Sequence, residues 1–473
     1  MYLIMELMAF MALLLPFVYG LSIQERQAGS PRTVRLPLHR AQIRDPIAYD
    51  RSRMRKRAGS INATVDNLET LYFLNVTLGT PPQQVRLHVD TGSSDMWVNT
   101  PGSEFCSLEG EPCAEARTYT ANSSSTYEYV NSKFSISYVD KSSSAGDYAK
   151  DTIRLSGVNI SSFQFGIGYR STSDQNILGL GYPSNEVQVV RAGLSPYQNL
   201  PAKMAADGLI ASKAYSLWLN DLSSAAGAVL FGGLDMDRFQ GKLVTVPIQK
   251  VNNAYNQFYI TMTGLDYEST AIAKDMALAV LLDSGSSLTY LPDPIVKKIH
   301  KMTDALVDPA GGYAYVPCSL GDNGTMTFKF SSPASITVPL DEMTIRLSDR
   351  AGKPLNLADG RPACLLGILP AGSSSCVLGD TFLRSAYVVY DMDNNGISLA
   401  NTKFNATTSN IVEIQGGSAI PSATKASNPV TATSGITTGS SGDGSGQKED
   451  NEASGLAPSL AMILVCLVAG SLI

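Results

Sequence analysis

Two short stretches carry the residues best suited to chemistry. The first is "VDTGSSDMW", residues 89–97, and the second is "LDSGSSLTY", residues 282–290. Each places an aspartate at the end of an apolar run, followed by Thr or Ser, then Gly, then Ser. A single such triplet is usually just a turn, with the glycine letting another backbone approach. Two of them imply that Asp90 and Asp283 meet. Carboxylates in contact cannot both ionise cheaply, so the pair shares one proton and offers a base and an acid side by side. The ionised partner takes a proton from water while the protonated partner hydrogen-bonds a substrate carbonyl, so an amide is attacked without metal or covalent intermediate. The neighbouring residues fit support roles. Thr91 and Ser284 can bond across to the opposite loop, Gly92 and Gly285 allow close approach, and Ser93 and Ser286 can donate to the outer carboxylate oxygens.

The elements that must position these loops are strands. From residue 68 to about 404 the text is β-branched and aromatic runs broken by Gly, Ser, Asn and Pro, including "TLYFLNVTLG", "QVRLHVDTG", "KFSISYVD", "YSLWLN", "AVLFGG" and "FYITMTGL". Helical patterns are few. "NLPAKMAADGLI" and "DPIVKKIHKMTDAL" are the best, the latter with Ile295, Val296, Ile299 and Met302 on one face. A second repeat accompanies the first, because Gly179 in "ILGLG" follows Asp90 as Gly379 in "VLGDTF" follows Asp283. Two halves with the same order of parts imply a mainly β, bilobed body with pseudo-two-fold symmetry and a few short helices.

At this point the sequence resembles the pepsin-like aspartic peptidases over residues 68–404, and within them the fungal candidapepsin and GPI-anchored yapsin group. "DQNILGLGYPSNE", "AYSLWLN", "LFGGLD", "LLDSGSSLTYLP" and "VLGDTFLRSAYVVYDMDNNGISLA" carry the match. The acid-pair mechanism above is the one long described for that family. The resemblance implies a long cleft for an extended polypeptide substrate, with catalytic lobes at 58–245 and 246–404. It also implies a hairpin flap at "KFSISYVDKSSSAGDY", in which Tyr138 bonds Trp97. Val139 and Lys141 stand where many relatives have glycine, a departure that bears on substrate preference rather than on the reaction. Yapsin-like relatives favour cleavage beside Lys or Arg, and Asp140 and Asp174 sit where acidic pocket walls would supply that preference.

The ends of the chain point to a secretory route. Residues 1–20 are almost wholly apolar and read as a signal peptide. Residues 21–57 hold ten Lys or Arg against Glu25, Asp45 and Asp50, within a chain of net charge −6. A basic segment ahead of an acidic body reads as a prosegment held by charge complementarity, cut after Lys56-Arg57. Its position behind a signal argues against a nucleic-acid-binding arm. The acidic body suits work at low pH. Residues 405–446 become rich in Ser, Thr and Gly, a composition read as a flexible stalk. Residues 447–473 end in an uncharged tail that matches a GPI-attachment signal, with Gly444 as attachment residue and Asn451 as the alternative. A tail-anchored helix is the competing reading. Sequons at Asn62, Asn75, Asn122, Asn159, Asn323 and Asn405 agree with an extracytoplasmic route.

Of six cysteines, Cys466 lies in the tail. Cys106 and Cys113 are close enough to close a small ring. Cys318 can pair with Cys364 or Cys376, leaving one thiol over. The family resemblance selects Cys318–Cys364 and leaves Cys376 buried and inert. No metal ligand set or cofactor motif is present. The expected product is a monomeric, cell-surface aspartic endopeptidase, tethered to the membrane through a GPI lipid or moved to the cell wall. A catalytically silent wall mannoprotein accounts equally for stalk, sequons and anchor, but not for both aspartates. A two-carboxylate glycosidase accounts for the acids, but not for the symmetric repeat.

Overall fold

The computed structural model describes residues 31–43, 69–138, 142–224, 226–308, 312–348 and 353–436. The signal peptide, Lys56-Arg57, Asn62, Val139, Asp140, Lys141, Gly444 and Asn451 lie outside them.

Strands dominate, as the short β-branched runs require. "TLYFLNVTL" lies in the strand Glu69–Leu78, and "QVRLHVD" in Gln83–Asp90. Both helical patterns are realised, at Leu200–Ala206 and at Asp293–Met302, whose Val296 and Ile299 are buried against the second lobe. Among the described residues the main sheets have fourteen, eight and four strands.

The sequence repeat is a repeat of topology. In the first lobe Gln83–Asp90 runs parallel to Asn176–Gly179, which is antiparallel to Met96–Asn99, which is parallel to Val158–Ser171. In the second, Leu278–Leu282 runs parallel to Val377–Leu378, which is antiparallel to Thr289–Leu291, which is parallel to Ile368–Pro370. The two distal glycines lie against the aspartate loops. A Cβ on Gly179 would stand 2.6 Å from the Asp95 nitrogen, and one on Gly379 would stand 2.2 Å from the Ser286 carbonyl oxygen. Any side chain there would push its loop away.

The basic segment is not held by charge alone. Val34–Ile43 is an interior strand of the fourteen-stranded sheet, paired antiparallel with Ala226–Phe231 on one side and Glu69–Leu78 on the other. Val34, Leu36 and Leu38 are buried, and Arg35 alternates with them to reach Asp235 at 3.2 Å. Arg32 pairs with Glu413 at 2.9 Å, with nearly half its side chain exposed. An exposed ion pair contributes about 0–1 kcal/mol, whereas each buried Val or Leu contributes about 1.5–3 kcal/mol. The apolar alternation therefore outweighs the charge.

A second expectation needs correcting. The stalk read from residue 405 onward is packed on the body as far as 436. Ile411–Glu413 pairs antiparallel with Gly233–Asp235, and Ala423–Lys425 runs parallel to Phe239–Pro247. Ile414 and Ile420 are buried in a cluster with Trp218, Leu234, Phe239 and Tyr387. Further on, Ala279 N–H donates to the Ser434 carbonyl at 2.8 Å, beside the strand that leads to Asp283. Composition misled because this strap has too few apolar residues for a core of its own, yet adds two to a core already built. Residues 437–446 fall outside the described part.

Cys106–Cys113 and Cys318–Cys364 are disulfides, with Cα separations of 5.2 and 4.9 Å. Cys376 is a buried free thiol, pushed up to about 11 by burial and so unsuited to nucleophilic work. Asn75, Asn122, Asn159, Asn323 and Asn405 are all exposed. The side-chain amide of Asn405 also donates to Asp221.

Candidate active site

Asp90 ends its strand and Asp283 follows its strand directly, and the two loops interlock across the pseudo-two-fold axis. Thr91 Oγ1 donates to the Leu282 carbonyl at 2.9 Å and accepts from Ser284 N–H at 3.0 Å. Ser284 Oγ donates to the Val89 carbonyl at 2.9 Å and accepts from Thr91 N–H at 3.2 Å. Four bonds between two short loops leave the aspartates little freedom to move apart.

Each carboxylate is then held in the same way. Gly92 N–H donates to Asp90 Oδ1 at 2.8 Å and Ser93 Oγ to Asp90 Oδ2 at 2.6 Å. Gly285 N–H donates to Asp283 Oδ1 at 2.8 Å and Ser286 Oγ to Asp283 Oδ2 at 2.7 Å. The Oδ1 atoms face the axis. A Cβ added to Gly285 would stand 2.5 Å from Asp90 Oδ1 and 2.9 Å from Asp283 Oδ1, so both lie within reach of one point. A Cβ on Gly92 would likewise meet Asp283 Oδ1 at 2.5 Å. Glycine is required at both positions because each inner oxygen occupies the space of the opposing loop's missing side chain. Asp90 and Asp283 are 2% and 5% exposed, so the pair sits in a partly dry setting.

The strands Glu128–Ser137 and Ser143–Leu155 form a hairpin. Trp97 Nε1 donates to the Tyr138 hydroxyl at 2.7 Å, joining that hairpin to the strand that follows the first aspartate loop. Trp97, Phe134, Ile136, Tyr148, Ile177 and Val187 form one apolar cluster beneath it. Asp174 sits half-buried just ahead of Asn176–Gly179, with Gln175 Nε2 donating to its Oδ1 at 2.9 Å, and burial raises its carboxyl.

This is the arrangement of a paired-carboxylate peptidase, and the comparisons agree with it. The eukaryotic aspartyl protease family profile matches residues 71–402. The chain belongs to that family. The probable aspartic-type endopeptidase opsB of Aspergillus fumigatus is 50% identical over 421 residues, 88% of this chain and 85% of that protein. The secreted aspartic protease 1 of Candida albicans is 35% identical over 388 residues, 79% of this chain and 91% of that protein. The crystal structure of the aspartic proteinase from Irpex lacteus has the same fold, with a TM-score of 0.61 at 21% identity over 80% of this chain and 100% of its own.

Sequence reasoning missed a second acidic cluster in this aspartyl protease. Asp95, five residues beyond Asp90, is 1% exposed and accepts from Tyr148 OH at 2.5 Å, Tyr197 OH at 3.1 Å and Val187 N–H at 2.8 Å. Burial raises its carboxyl, and these three donors pull it back. Glu186 is fully buried beside it and pushed up to about 10 by burial, so it is neutral across the acidic and neutral range. One signal was available. Aligning the two repeats sets Asp95 opposite Leu288, an acid where the other half has a leucine.

Proposed function

We propose that Asp90 and Asp283 are the catalytic acids of an endopeptidase acting on extended polypeptides. One carboxylate takes a proton from a water lying between the inner oxygens as that water attacks the scissile carbonyl carbon. The other carboxyl gives its proton to the carbonyl oxygen, forming a gem-diol. Return of a proton to the amide nitrogen then lets the C–N bond break, yielding an acid and an amine and restoring the shared proton. Ser93 and Ser286 hold the outer oxygens, Thr91 and Ser284 hold the loops, and Tyr138 with Trp97 sets the flap. The carrying observation is the reciprocal Thr91–Ser284 lock, which fixes two buried carboxyls face to face.

The finer reading follows the chain's ends and exposed sites. The enzyme enters the secretory route through residues 1–20, carries residues 21–57 as a prosegment cut at Lys56-Arg57, and works as a monomer. It is held at the cell surface by a GPI lipid at Gly444 or Asn451, as in the yapsin group. Five exposed sequons and the secreted Candida relative support the extracellular part. A preference for Lys or Arg at the cleavage site rests on Asp140 and Asp174. A half-buried carboxyl that burial disfavours gains most from a substrate cation beside it.

The test is a peptide-library digest at acidic pH with a statine-type transition-state mimic as competitor. Asp90→Asn and Asp283→Asn should each lower kcat/KM by more than about a thousandfold and abolish mimic binding without unfolding the protein. Near-normal cleavage by either variant overturns the assignment.

A further inference from the structure

The return strand of the flap hairpin is laddered to Val158–Ser171, and among the described residues two side-chain bonds tie the hairpin to the segment just after Asp90, the outer one being Tyr138–Trp97. The inner one is Tyr148, on the hairpin's return strand Ser143–Leu155, whose hydroxyl donates to Asp95 Oδ1 at 2.5 Å. Asp95 is joined to more than the hairpin. Its Oδ2 accepts from Val187 N–H, and its backbone carbonyl accepts from Gly179 N–H at 3.1 Å. One buried residue thus gathers the aspartate loop, the distal-glycine strand, the Val187 segment and the flap. The groups facing it are Tyr148 from the hairpin, Tyr197 and Glu186 from the segment around Val187, and Arg191 at longer range. Tyr197 is fixed in turn, because its N–H donates to Glu186 Oε2 at 2.8 Å.

We propose that Asp95 is a positioning residue. Its bond to Tyr148 fixes the root of the hairpin relative to Asp90, so that the flap closes over the scissile bond from a set hinge. In the second lobe the counterpart of Asp95 is the apolar Leu288. A hydroxyl bond to a carboxyl oxygen buried in a low-dielectric interior is strong enough to serve as such a fixed point. Loss of the fixed point should act on the transition state more than on substrate affinity, since closure completes the site only once substrate is in place.

The inference rests on the peptidase reading, and the experiment separates the two. Tyr148→Phe and Tyr197→Phe each delete one hydroxyl donor to the same Asp95 oxygen and keep the ring, but only Tyr148 lies on the hairpin. Active enzyme is counted by titration with the statine-type mimic, and thermal stability is measured alongside. Tyr148→Phe should lower kcat on the order of tenfold with KM changed less than about twofold, and Tyr197→Phe should leave kcat within about twofold. Asp95→Leu should lose at least as much kcat as Tyr148→Phe, with Asp95→Asn recovering part of it. If Asp95→Leu does not fold, the two tyrosine variants still decide. Equal kcat losses in both, or an unchanged kcat in Tyr148→Phe, overturn the positioning role. Inactivity of the unsubstituted enzyme would instead strike at the peptidase reading.

Discussion

The two aspartate loops share backbone course, serine donors, glycine contacts and cross-axis bonds, yet they are set in different surroundings. The first continues into Asp95 and Trp97, which are both bonded to tyrosines of a hairpin. The second continues into Leu288 and Tyr290, both buried in the main core, and its strand is flanked by the strap at Ser434. Symmetry covers the atoms that hold the carboxylates and stops two residues after Ser93 and Ser286, at Asp95 and Leu288. The half joined to the hairpin has an acid with three donors where the other half has a leucine. At the matching position the second half has a buried apolar contact.

The hardest test of that division is to exchange the residues. Leu288→Asp puts a carboxyl into a position 0% exposed within the main apolar core, rather than beside the Tyr148 and Tyr197 hydroxyls that serve Asp95. Burying an acid without such donors should cost about 4 kcal/mol or more in urea unfolding. A loss below about 1 kcal/mol would mean that the second loop tolerates an acid as well as the first, and the contrast would fail.

A smaller effect should come from Glu186, which also belongs only to the first half. Its folded carboxyl is raised by burial to about 10, against an ordinary value of 4.5. The folded state therefore holds a proton that the unfolded chain releases. Stability from this group is full below about pH 4.5 and declines as pH rises toward 10, by up to about 1.4 kcal/mol per pH unit. Glu186→Gln cannot ionise, so its stability should fall less between pH 5 and 7, by about 2.5 kcal/mol. Parallel stability curves for the two proteins would show that the first lobe carries no such alkaline weakness.

Much of this was legible in the chain because the aspartate loops are local and duplicated. Asp90, Asp283 and their serines and glycines could be assigned from spacing alone, and the strands around them from alternation. What failed did so through averaging. Charge summed over residues 21–57 hid the ten-residue pattern of Val34–Ile43, in which Val34, Leu36 and Leu38 alternate with outward residues. Composition over 405–446 hid Ile414 and Ile420, whose burial depends on Trp218 and Phe239, nearly two hundred residues earlier. Asp95 was in plain view, but nothing local says that a lone acid will meet tyrosines from two distant segments.

The finest test asks whether the shared part is truly shared. Ser93 and Ser286 make the same bond, to Asp90 Oδ2 at 2.6 Å and to Asp283 Oδ2 at 2.7 Å. A hydroxyl bond to a charged group contributes about 1.5 kcal/mol, so Ser93→Ala and Ser286→Ala should each lower kcat/KM by about tenfold. The surroundings pull in opposite directions. Ser93 is the less buried, so water can replace its bond in part, whereas Ser286 is 8% exposed and its loss leaves the Asp283 oxygen poorly served. Ser286→Ala should therefore be the more damaging, by no more than about threefold. A gap of a hundredfold would show that the two carboxylates are held unequally, and that the asymmetry begins at the aspartates themselves rather than one residue beyond the shared loop.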